Sequence, residues 1–486
     1  MGRKKAGESS NEASADDIEK QATSVEKQLT NLRALSPACC IYRVPARLRK
    51  QKIKAYTPQV VSIGPLHHGS KNLEAVEDHK LRYLKCFLDR TKVELRDYFK
   101  KIKEREDELR HYYEDTKKFD IDAFVNIILV DAAFVIELLL RNKSEEKLQD
   151  DNAWIFKKPW VLQNILPDML MLENQLPFFI LEYLYNLTGA QTGEPSIIEL
   201  SYRFFQQALR LENLESSPAF HKSFMSRDSK KPLHFVDFIR TLHLPDLTPE
   251  ENVGLQSTPS MTKLHQAGVE FHAVSRDNLF NIQFKKNTGT LEIPKIEIHD
   301  YTELTLRNLI AFEQCHCVDK YISDYVFILD KFVNTPKDVE LLVENRIVVN
   351  TLGDNNKVSN MINKLCSKVA PNHGNYYFGT LADSLNKYCE KPTNRWKANL
   401  RQKYFNTPWA AISLFAAIIL LILTVIQTVC SIISVIDQVL AVSLSVAIFF
   451  LSLLNMGWKI VDLAHTYSEG SFPLALDILD SENGAN

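Results

Sequence analysis

The class of protein is decided near the carboxyl end, where residues 409–436 read WAAISLFAAIILLILTVIQTVCSIISVI. This run of 28 residues carries no formal charge, and Gln427 is its one strongly polar side chain. Asp437 and Gln438 interrupt the run, and residues 439–456 continue it as VLAVSLSVAIFFLSLLNM, again without charge. About 20 apolar residues suffice to cross a hydrocarbon core of ~30 Å, whereas a soluble core helix would carry a polar stripe that is missing here. The sequence therefore predicts a large water-soluble body tied to a membrane by its C-terminal end.

Two arrangements of the membrane segment, residues 409–458, are consistent with this pattern. In a hairpin, spans at about 409–431 and 439–458 are joined by a turn that places Asp437 at the membrane surface, because a charge in mid-bilayer is costly. In a single-span arrangement only the first stretch crosses, and the remainder lies in the interface. No glycine or proline lies near Asp437 to mark a turn, so both arrangements stay open.

Aromatic and basic residues flank the membrane segment and predict its orientation. Trp409 and Trp458 bracket the apolar tract as interfacial aromatics do, and Arg401 and Lys403 precede it in a stretch without acids. Cytoplasmic flanks of membrane helices carry an excess of cations, so we expect the body in the cytoplasm and these four residues at the membrane interface. No apolar run near the N-terminus resembles a signal peptide. We therefore expect an integral membrane protein, with the plasma membrane as one candidate location.

Composition and the lack of motifs exclude several classes of function. At 486 residues the chain has room for a sizeable core, and its net charge of −2 favours neither a nucleic acid nor an acidic partner. Its eight cysteines have no framework spacing, which is typical of reduced thiols in a cytosolic body. No GxSxG, Walker A or GxGxxG pattern occurs. The sequence therefore indicates no cofactor, no metal and no small-molecule substrate.

Polarity and hydrophobic spacing divide the rest of the chain. Residues 1–15 are small and polar and are expected to be disordered. Residues 16–36 place apolar side chains at steps of four and three, which predicts an amphipathic helix; docking onto the body is favoured over a coiled coil. A globular domain is expected over 37–405 and a polar tail over 459–486. The apolar positions of the amphipathic helix are Ile18, Ala22, Val25, Leu29 and Leu32.

Within the body the patterns predict mostly helices. Phe119–Leu140 is apolar almost all round, with Asp131 and Glu137 embedded, which is typical of a central core helix. Helical spacing also extends from Thr302 to Tyr388.

Two stretches predict strands instead. Residues 56–69 have a β-branched centre with Gly-Pro and His-Gly ends, which predicts a short buried strand leading into a loop. Residues 269–299 alternate polar and apolar side chains in three runs, with Asn287-Thr-Gly289 as a turn between the last two. The predicted fold class is therefore mainly α, a large helical body with a small antiparallel β-sheet insertion and a C-terminal transmembrane helix or helical hairpin.

Several distant blocks of sequence carry a family resemblance. The blocks are Cys39–Pro45, Val61–Gly69, Leu172–Phe179, Arg307–His316 and the pre-membrane stretch Trp396–Trp409. In these blocks the chain resembles the plant family catalogued as domain of unknown function 247, over roughly residues 37–431. The resemblance implies a membrane-anchored protein, and grass members of the family have been implicated as pollen determinants of self-incompatibility. It also implies a single terminal membrane helix with a short tail, whereas this chain has a second apolar segment.

Two short motifs contain residue types that bind metals or transfer protons. His67-His68 lies in a Gly-Pro…Gly loop, but adjacent side chains diverge in an extended chain, so a structural loop is favoured over an acid/base or metal site. Cys315-His316-Cys317 contains zinc-ligand types, but structural zinc sites use paired CxxC-like spacings. Positions i and i+2 of a helix also point apart, so buried thiols are favoured.

Carboxylates in apolar surroundings are the remaining candidates for catalysis. Buried carboxylates have raised pKa values, and a pair of them can serve as general acid and base. However, Leu172-Glu-Asn-Gln-Leu-Pro177 is equally typical of a helix boundary whose side chains satisfy free backbone groups. Structural hydrogen bonding is therefore favoured. The candidates are Asp131, Glu137, Asp168, Glu173 and Glu182.

A basic run near the start of the body is a candidate for lipid contact. A solvated helix face is favoured, and contact with anionic lipid is the main alternative, since each cation near a membrane surface contributes roughly 1 kcal/mol. Nucleic acid is disfavoured because aromatic residues do not alternate with the charges. The candidate lipid contacts are Arg47, Arg49, Lys50, Lys52 and Lys54.

Two hypotheses of function follow. The first is a membrane-anchored, non-enzymatic recognition or signalling protein with an unidentified protein partner, because a large body without chemical motifs is held at a lipid surface. The second is an enzyme with an unrecognised acid/base site built from Asp131, Glu137 and Glu173 or from His67-His68. Convergence of these groups in a deep pocket would favour the enzyme, and their dispersal or hydrogen-bonded burial would favour the first hypothesis.

Overall fold

The computed structural model describes most of the chain, which divides into two compact units. The body comprises Met1–Leu264 with Val269–Tyr388, and the C-terminal unit comprises Cys389–Asn486 with His265–Gly268. The described residues are 9–30, 36–116, 118–143, 155, 158–188, 194–206, 209, 217, 220–225, 230–245, 254–274, 278–371, 374–392, 408–434 and 439–468.

Helices dominate the described residues, as predicted. The first half of the chain contains α1 (Ser9–Thr30), α2 (Ala46–Arg49), α3 (Glu74–Thr91), α4 (Leu95–Lys103), α5 (Glu106–His111), α6 (Ile121–Lys143), α7 (Pro159–Met169), α8 (Phe178–Asn186), α9 (Ile197–Gln206) and α10 (Phe235–Leu242). The second half contains α11 (Met261–Gln266), α12 (Thr302–Cys315), α13 (Tyr321–Phe332), α14 (Pro336–Glu344), α15 (Asn355–Leu365), α16 (Gly379–Glu390), α17 (Pro408–Ser434) and α18 (Val439–Ser468). Shorter helical turns lie at Ile53–Tyr56, Lys71–Leu73 and His221–Met225.

Helix α6 is the centre of the body, which confirms the predicted core helix. It packs against α3, α4, α5, α8 and α9, so nearly every face of the helix meets another helix. That environment suits a sequence that is apolar almost all round. The two embedded acids, Asp131 and Glu137, are buried with it.

The strands form two small sheets rather than one antiparallel sheet. The strands are β1 (Glu270–Val274), β2 (Gln283–Lys285), β3 (Thr290–Pro294), β4 (Ile296–Ile298) and β5 (Val348–Asn350). Strands β2 and β3 are antiparallel, with Phe284 opposite Leu291, and the predicted Asn287–Gly289 turn joins them. Strand β1 pairs with the other edge of β3 in parallel, with Phe271 also beside Leu291.

The prediction of an antiparallel insertion is therefore wrong for two strands. A tight turn fixes β2 and β3 as a hairpin, but the longer connection after β1 leaves its direction free. Strand β4 leaves this sheet and pairs in parallel with β5, with Ile296 beside Val348. Strand β5 lies inside the stretch that was predicted to be helical throughout.

Helix α1 begins earlier than predicted, and its apolar side chains are exposed. It begins at Ser9, within the segment expected to be disordered. Its apolar side chains Ile18, Val25 and Leu29 are 65%, 51% and 59% exposed, so the predicted docking onto the body is not observed. Leu32, the last apolar position of the predicted stripe, lies outside the described residues.

The C-terminal unit contains two long helices that contact each other, α17 and α18. Large apolar side chains on both helices are exposed, including Leu420 and Leu421 on α17 and Leu451 and Leu454 on α18. Residues 435–438, which contain Asp437, lie between the helices and outside the described residues.

Candidate functional site

Buried polar side chains around the turn after α7 hold the segment that was predicted to be a strand. Residues 59–63 form no strand; instead, the Asp168 carboxylate accepts hydrogen bonds from the backbone N–H groups of Gln59, Val60 and Val61 at 2.7–3.1 Å. Val60 and Val61 have the β-branched side chains of a strand, but a carboxylate replaces the neighbouring strand as acceptor. The strand prediction is therefore wrong for this physical reason.

Asn174 also forms hydrogen bonds that a neighbouring strand would otherwise make with this segment. Its amide oxygen accepts the Ile63 N–H at 2.7 Å, and its amide nitrogen donates to the carbonyl oxygens of Val61 and Asp168, both at 3.0 Å. One side chain thus satisfies three backbone groups, and Asn174 is fully buried. The segment is held by side chains from one turn and needs no partner strand.

The next residue of the segment, Gly64, is bound to the core helix. Its N–H donates to Asp131 at 2.8 Å, and the other Asp131 oxygen accepts from the buried Lys80 ammonium at 2.7 Å. Lys80 also pairs with Glu77 at 2.7 Å. Burial alone would lower the pKa of Lys80, but Asp131 and Glu77 outweigh burial and raise that pKa above its ordinary value.

Glu173 is 1% exposed and interacts with several basic side chains. One carboxylate oxygen accepts the Val44 N–H at 2.5 Å and is bonded by the Arg49 guanidinium; the other lies 3.4 Å from Arg43 Nη1 and 3.2 Å from His67 Nε2. Burial alone would raise the pKa of Glu173, but the hydrogen bonds from His67, Val44 and Arg49 outweigh it, so the pKa lies below its ordinary value.

Gln175 and Asn308 connect the same turn to other helices. Gln175 Nε2 donates to the carbonyl oxygens of Met169 and Met171 at 2.7 and 2.8 Å, and Gln175 Oε1 accepts the Phe235 N–H at the start of α10. Asn308 on α12 accepts the Leu172 N–H at 2.9 Å. Asn308 also donates to the Ala55 carbonyl at 2.8 Å.

Four of the five sequence blocks therefore meet in space. Residues 39–45 contact 172–179 through Glu173, residues 61–69 contact them through Asn174, and residues 307–316 contact them through Asn308. Tyr42 also hydrogen-bonds to His316 Nδ1, with 3.1 Å between the two atoms. We call this assembly the polar clamp, defined by Asp131, Asp168, Glu173, Asn174, Gln175 and Asn308.

The candidate carboxylates are distributed over separate sets of partners. Glu137 is buried between Arg90 and Arg141, and Glu182 pairs with the exposed Lys231. Asp131, Asp168 and Glu173 bind the different partners given above. Burial raises the pKa of Asp168 to about 6, although the N–H groups of Val61, Gln59 and Val60 oppose the shift.

The two short motifs occupy different environments. His67 faces Glu173, whereas the His68 ring meets the edge of Phe119. Cys315, His316 and Cys317 lie at the end of α12 and are partly buried, and both cysteines are free thiols. Burial raises the pKa of Cys315 to about 11 and that of Cys317 to about 12, so neither is a ready nucleophile. Among the described residues, no group of three or more His, Cys, Asp or Glu side chains has the arrangement of a metal site.

The five candidate lipid contacts separate into two kinds. Arg49 points inward to Glu173, and Lys52 pairs with Glu303 on α12. Arg47, Lys50 and Lys54 are exposed. The inward role of Arg49 was missed because its partner lies 124 positions further along the chain.

Two helices of the described chain are long and apolar enough to cross a membrane. One is the core helix, Ile121–Asn142, which is 83% buried; the other is Ile412–Val429, which is 0% buried. Of the predicted interface residues, Trp409 is 78% exposed and Trp458 is 75% exposed. Arg401 and Lys403 lie outside the described residues.

The fold and the polar clamp define a mainly helical protein whose distant sequence blocks form one internal hydrogen-bonded framework. The family model for plant proteins of unknown function, domain of unknown function 247, matches residues 41–423. The chain belongs to this family, which confirms the resemblance seen in the sequence.

Two relatives in Arabidopsis thaliana show the same likeness along most of the chain. A UPF0481 protein is 29% identical over 432 residues, covering 82% of this chain and 88% of the relative. A putative UPF0481 protein is 24% identical over 486 residues, covering 80% of this chain and 89% of the relative. No solved structure matches the chain.

Proposed function

We propose that this chain is a membrane-anchored, non-enzymatic recognition or signalling protein whose body lies in the cytoplasm. The observation that carries the proposal is helix α17. Its central 18 residues, Ile412–Val429, are uncharged and wholly unburied, whereas the comparably apolar helix α6 is 83% buried. An exposed apolar helix of 27 residues is costly in water and stable in a bilayer.

A hairpin is the arrangement that the two C-terminal helices support best. Helices α17 and α18 contact each other, and the charged Asp437 lies in the short interval between them. A hairpin places that charge at a surface and both chain ends on one side of the membrane. The cations before α17 favour the cytoplasm as that side.

The polar clamp supports a structural rather than a catalytic use of the buried acids. Asp131, Asp168 and Glu173 are all about 1% exposed, and each is bonded to backbone N–H groups or to cations of its own chain. A catalytic pair needs a shared substrate position within hydrogen-bonding reach, whereas these groups use their hydrogen-bonding capacity internally.

A charge inserted into α17 tests the proposed anchor. We would compare the tagged full chain with a Leu420→Lys/Leu421→Lys variant in plant cells, because a lysine in mid-membrane costs about 3 kcal/mol. The matched control is Leu420→Ala/Leu421→Ala. We expect the parent and the alanine variant at membranes and the lysine variant in the cytosol. An unchanged distribution of the lysine variant would refute α17 as the anchor.

Proximity labelling with the same variants tests the recognition role. We expect the parent to label a reproducible set of membrane proteins that the lysine variant does not label. Labelling that is the same for both variants would contradict recognition at the membrane.

A further inference from the structure

We propose that the body carries a second, electrostatic membrane contact, a face that binds anionic lipid headgroups. The proposal rests on the membrane anchoring argued above and names the surface that the anchored body turns towards the bilayer. The face, called the basic face below, consists of Arg47, Lys50, Ile53, Lys54, Lys364 and Lys368.

The basic face is assembled from two segments that are far apart in sequence. Gln314 joins them, because its amide oxygen accepts from Arg47 Nη2 at 3.3 Å and from the Ala370 N–H at 3.0 Å. A second link runs from Ser367 Oγ to Gln51 Oε1 at 3.2 Å. The cations of the α2 segment therefore lie beside those at the end of α15, which the sequence alone did not indicate.

The charges of the basic face are directed outward, unlike those of its neighbours. The exposed cations of the face are Arg47, Lys50, Lys54, Lys364 and Lys368. Arg49 and Lys52, which complete the run in sequence, are instead engaged with Glu173 and Glu303. The run thus divides into cations that hold the fold and cations that remain on the surface.

An acid beside the α2 segment, Glu303, is paired with cations of its own chain. Glu303 pairs with Lys52 and also with Arg307, which lies on the same helix and is 4% exposed. Two cations on one carboxylate leave an excess of positive charge at the base of the basic face. The whole chain has a net charge of −2, so this attraction is local and gives the body an orientation.

Lipid is the occupant that the surface chemistry favours. Ile53 is 61% exposed and lies between Lys50 and Lys54 in sequence, and an apolar side chain among cations suits the boundary between lipid headgroups and acyl chains. Nucleic-acid surfaces alternate aromatic rings with cations, and this face contains no aromatic residue. A tethered body also meets the bilayer at high effective concentration, so a weak headgroup contact suffices.

Hydrogen exchange of the full chain in lipid nanodiscs tests the basic face. We would compare phosphatidylcholine discs with discs that also contain phosphatidylserine. We expect slower exchange over residues 46–56 and 364–370 when phosphatidylserine is present, and loss of this protection at 1 M salt, where the Debye length is about 3 Å. Equal exchange in the two kinds of disc would overturn the proposal.

Two matched triple variants assign the protection to the face. Lys50→Glu/Lys54→Glu/Lys368→Glu should reduce the phosphatidylserine-dependent protection more than about tenfold, since each cation near an anionic surface is worth about fivefold in binding. Lys85→Glu/Lys92→Glu/Lys100→Glu changes exposed lysines of α3, α4 and their connection and should leave the protection intact. Equal loss in both variants would refute a specific face.

Three further controls distinguish loss of lipid binding from misfolding, from RNA binding and from loss of the anchor. The variant Lys50→Gln/Lys54→Gln/Lys368→Gln removes the same charges without reversing them, and circular dichroism checks its fold. We expect this variant to stay folded and to lose the phosphatidylserine-dependent protection as well. Single-stranded RNA added to phosphatidylcholine discs should give no protection; protection by RNA equal to that by phosphatidylserine would overturn lipid as the ligand. Failure of the chain to enter discs would refute the anchor, whereas entry without protection would refute only the basic face.

Discussion

The Asn174 amide oxygen accepts the backbone N–H of Ile63 at 2.7 Å, across 111 positions of sequence. This contact performs the task of a neighbouring strand with a single side chain. The same amide also donates to the carbonyl oxygens of Val61 in that segment and of Asp168 in the turn after α7, so Asn174 binds both an N–H and a C=O group of the segment. The framework of the body therefore depends on a few buried polar residues as well as on apolar packing.

Removing that amide should destabilise the body strongly. Asn174→Ala leaves a buried N–H and buried carbonyl oxygens unpaired, at about 1–3 kcal/mol for each unsatisfied group. We expect a loss of about 3 kcal/mol in the free energy of unfolding, measured by urea denaturation of the detergent-solubilised chain. Asn164→Ala is the matched control, since Asn164 is exposed and bonds to its own helix; its effect should stay within about 1 kcal/mol. Equal effects of the two variants would contradict the role of Asn174.

Two glycines in the loop that follows residues 59–63 provide a test of close packing. Gly64 has a φ of 75°, and a Cβ atom there would lie 2.4 Å from the Gln175 carbonyl oxygen. Gly69 has a φ of 79°, but a Cβ atom there would meet nothing within 4 Å. Gly69→Ala should cost about 1 kcal/mol from backbone strain alone, whereas Gly64→Ala should cost at least about 3 kcal/mol in a thermal unfolding comparison. A Gly64 variant as stable as the Gly69 variant would show that the loop does not pack against Gln175.

Acid should remove the contribution of Glu173 to stability. The pKa of Glu173 is lower in the folded chain than its ordinary value of 4.5, so its stabilisation is complete above pH 4.5 and is lost as the pH falls through the folded value. We expect Glu173→Gln to cost about 2 kcal/mol at pH 7 and the difference from the parent to shrink below pH 4.5, measured by urea denaturation across pH.

Glu182→Gln is the control for this pH profile. Its partner Lys231 is largely exposed, and exposed ion pairs contribute little, so we expect a change within about 0.5 kcal/mol at pH 7. A difference between parent and Glu173→Gln that stays constant from pH 7 to pH 3 would contradict the ionised role of Glu173.

Glycosylation mapping distinguishes the hairpin from a single span. A hairpin leaves acceptor sites at both chain ends on the cytoplasmic face of microsomes, so neither end should be modified. A chain ending at residue 438 with the same C-terminal acceptor site should be glycosylated, because removal of α18 leaves one span. Modification of the C-terminal site in the full chain would contradict the hairpin. The body itself contains two acceptor sequences, Asn142-Lys-Ser144 and Asn186-Leu-Thr188, and modification of either would contradict a cytoplasmic body.

Local patterns predicted the elements whose environment is uniform. Helix α6 was recognisable because a helix packed on nearly every face must be apolar nearly all round. The hairpin of β2 and β3 was recognisable because a short turn containing Gly289 fixes it. The family resemblance was recognisable because its blocks are continuous in sequence.

The features that sequence patterns missed depend on partners far along the chain. Val60 and Val61 have side chains typical of a strand, but the acceptor for their N–H groups is Asp168, more than 100 positions away. Strand β5 has three residues and pairs with β4 across a long interval, so local alternation gives no signal. Lys368 belongs to the basic face only because Gln314 joins two distant segments.

Alkaline carbonate extraction of membranes from cells that express the full chain tests the anchor most directly. We predict that the full chain stays in the membrane pellet at high pH, while a chain ending at residue 405 is released to the supernatant. Release of the full chain together with the truncated one would show that α17 does not lie in the bilayer and would contradict the account.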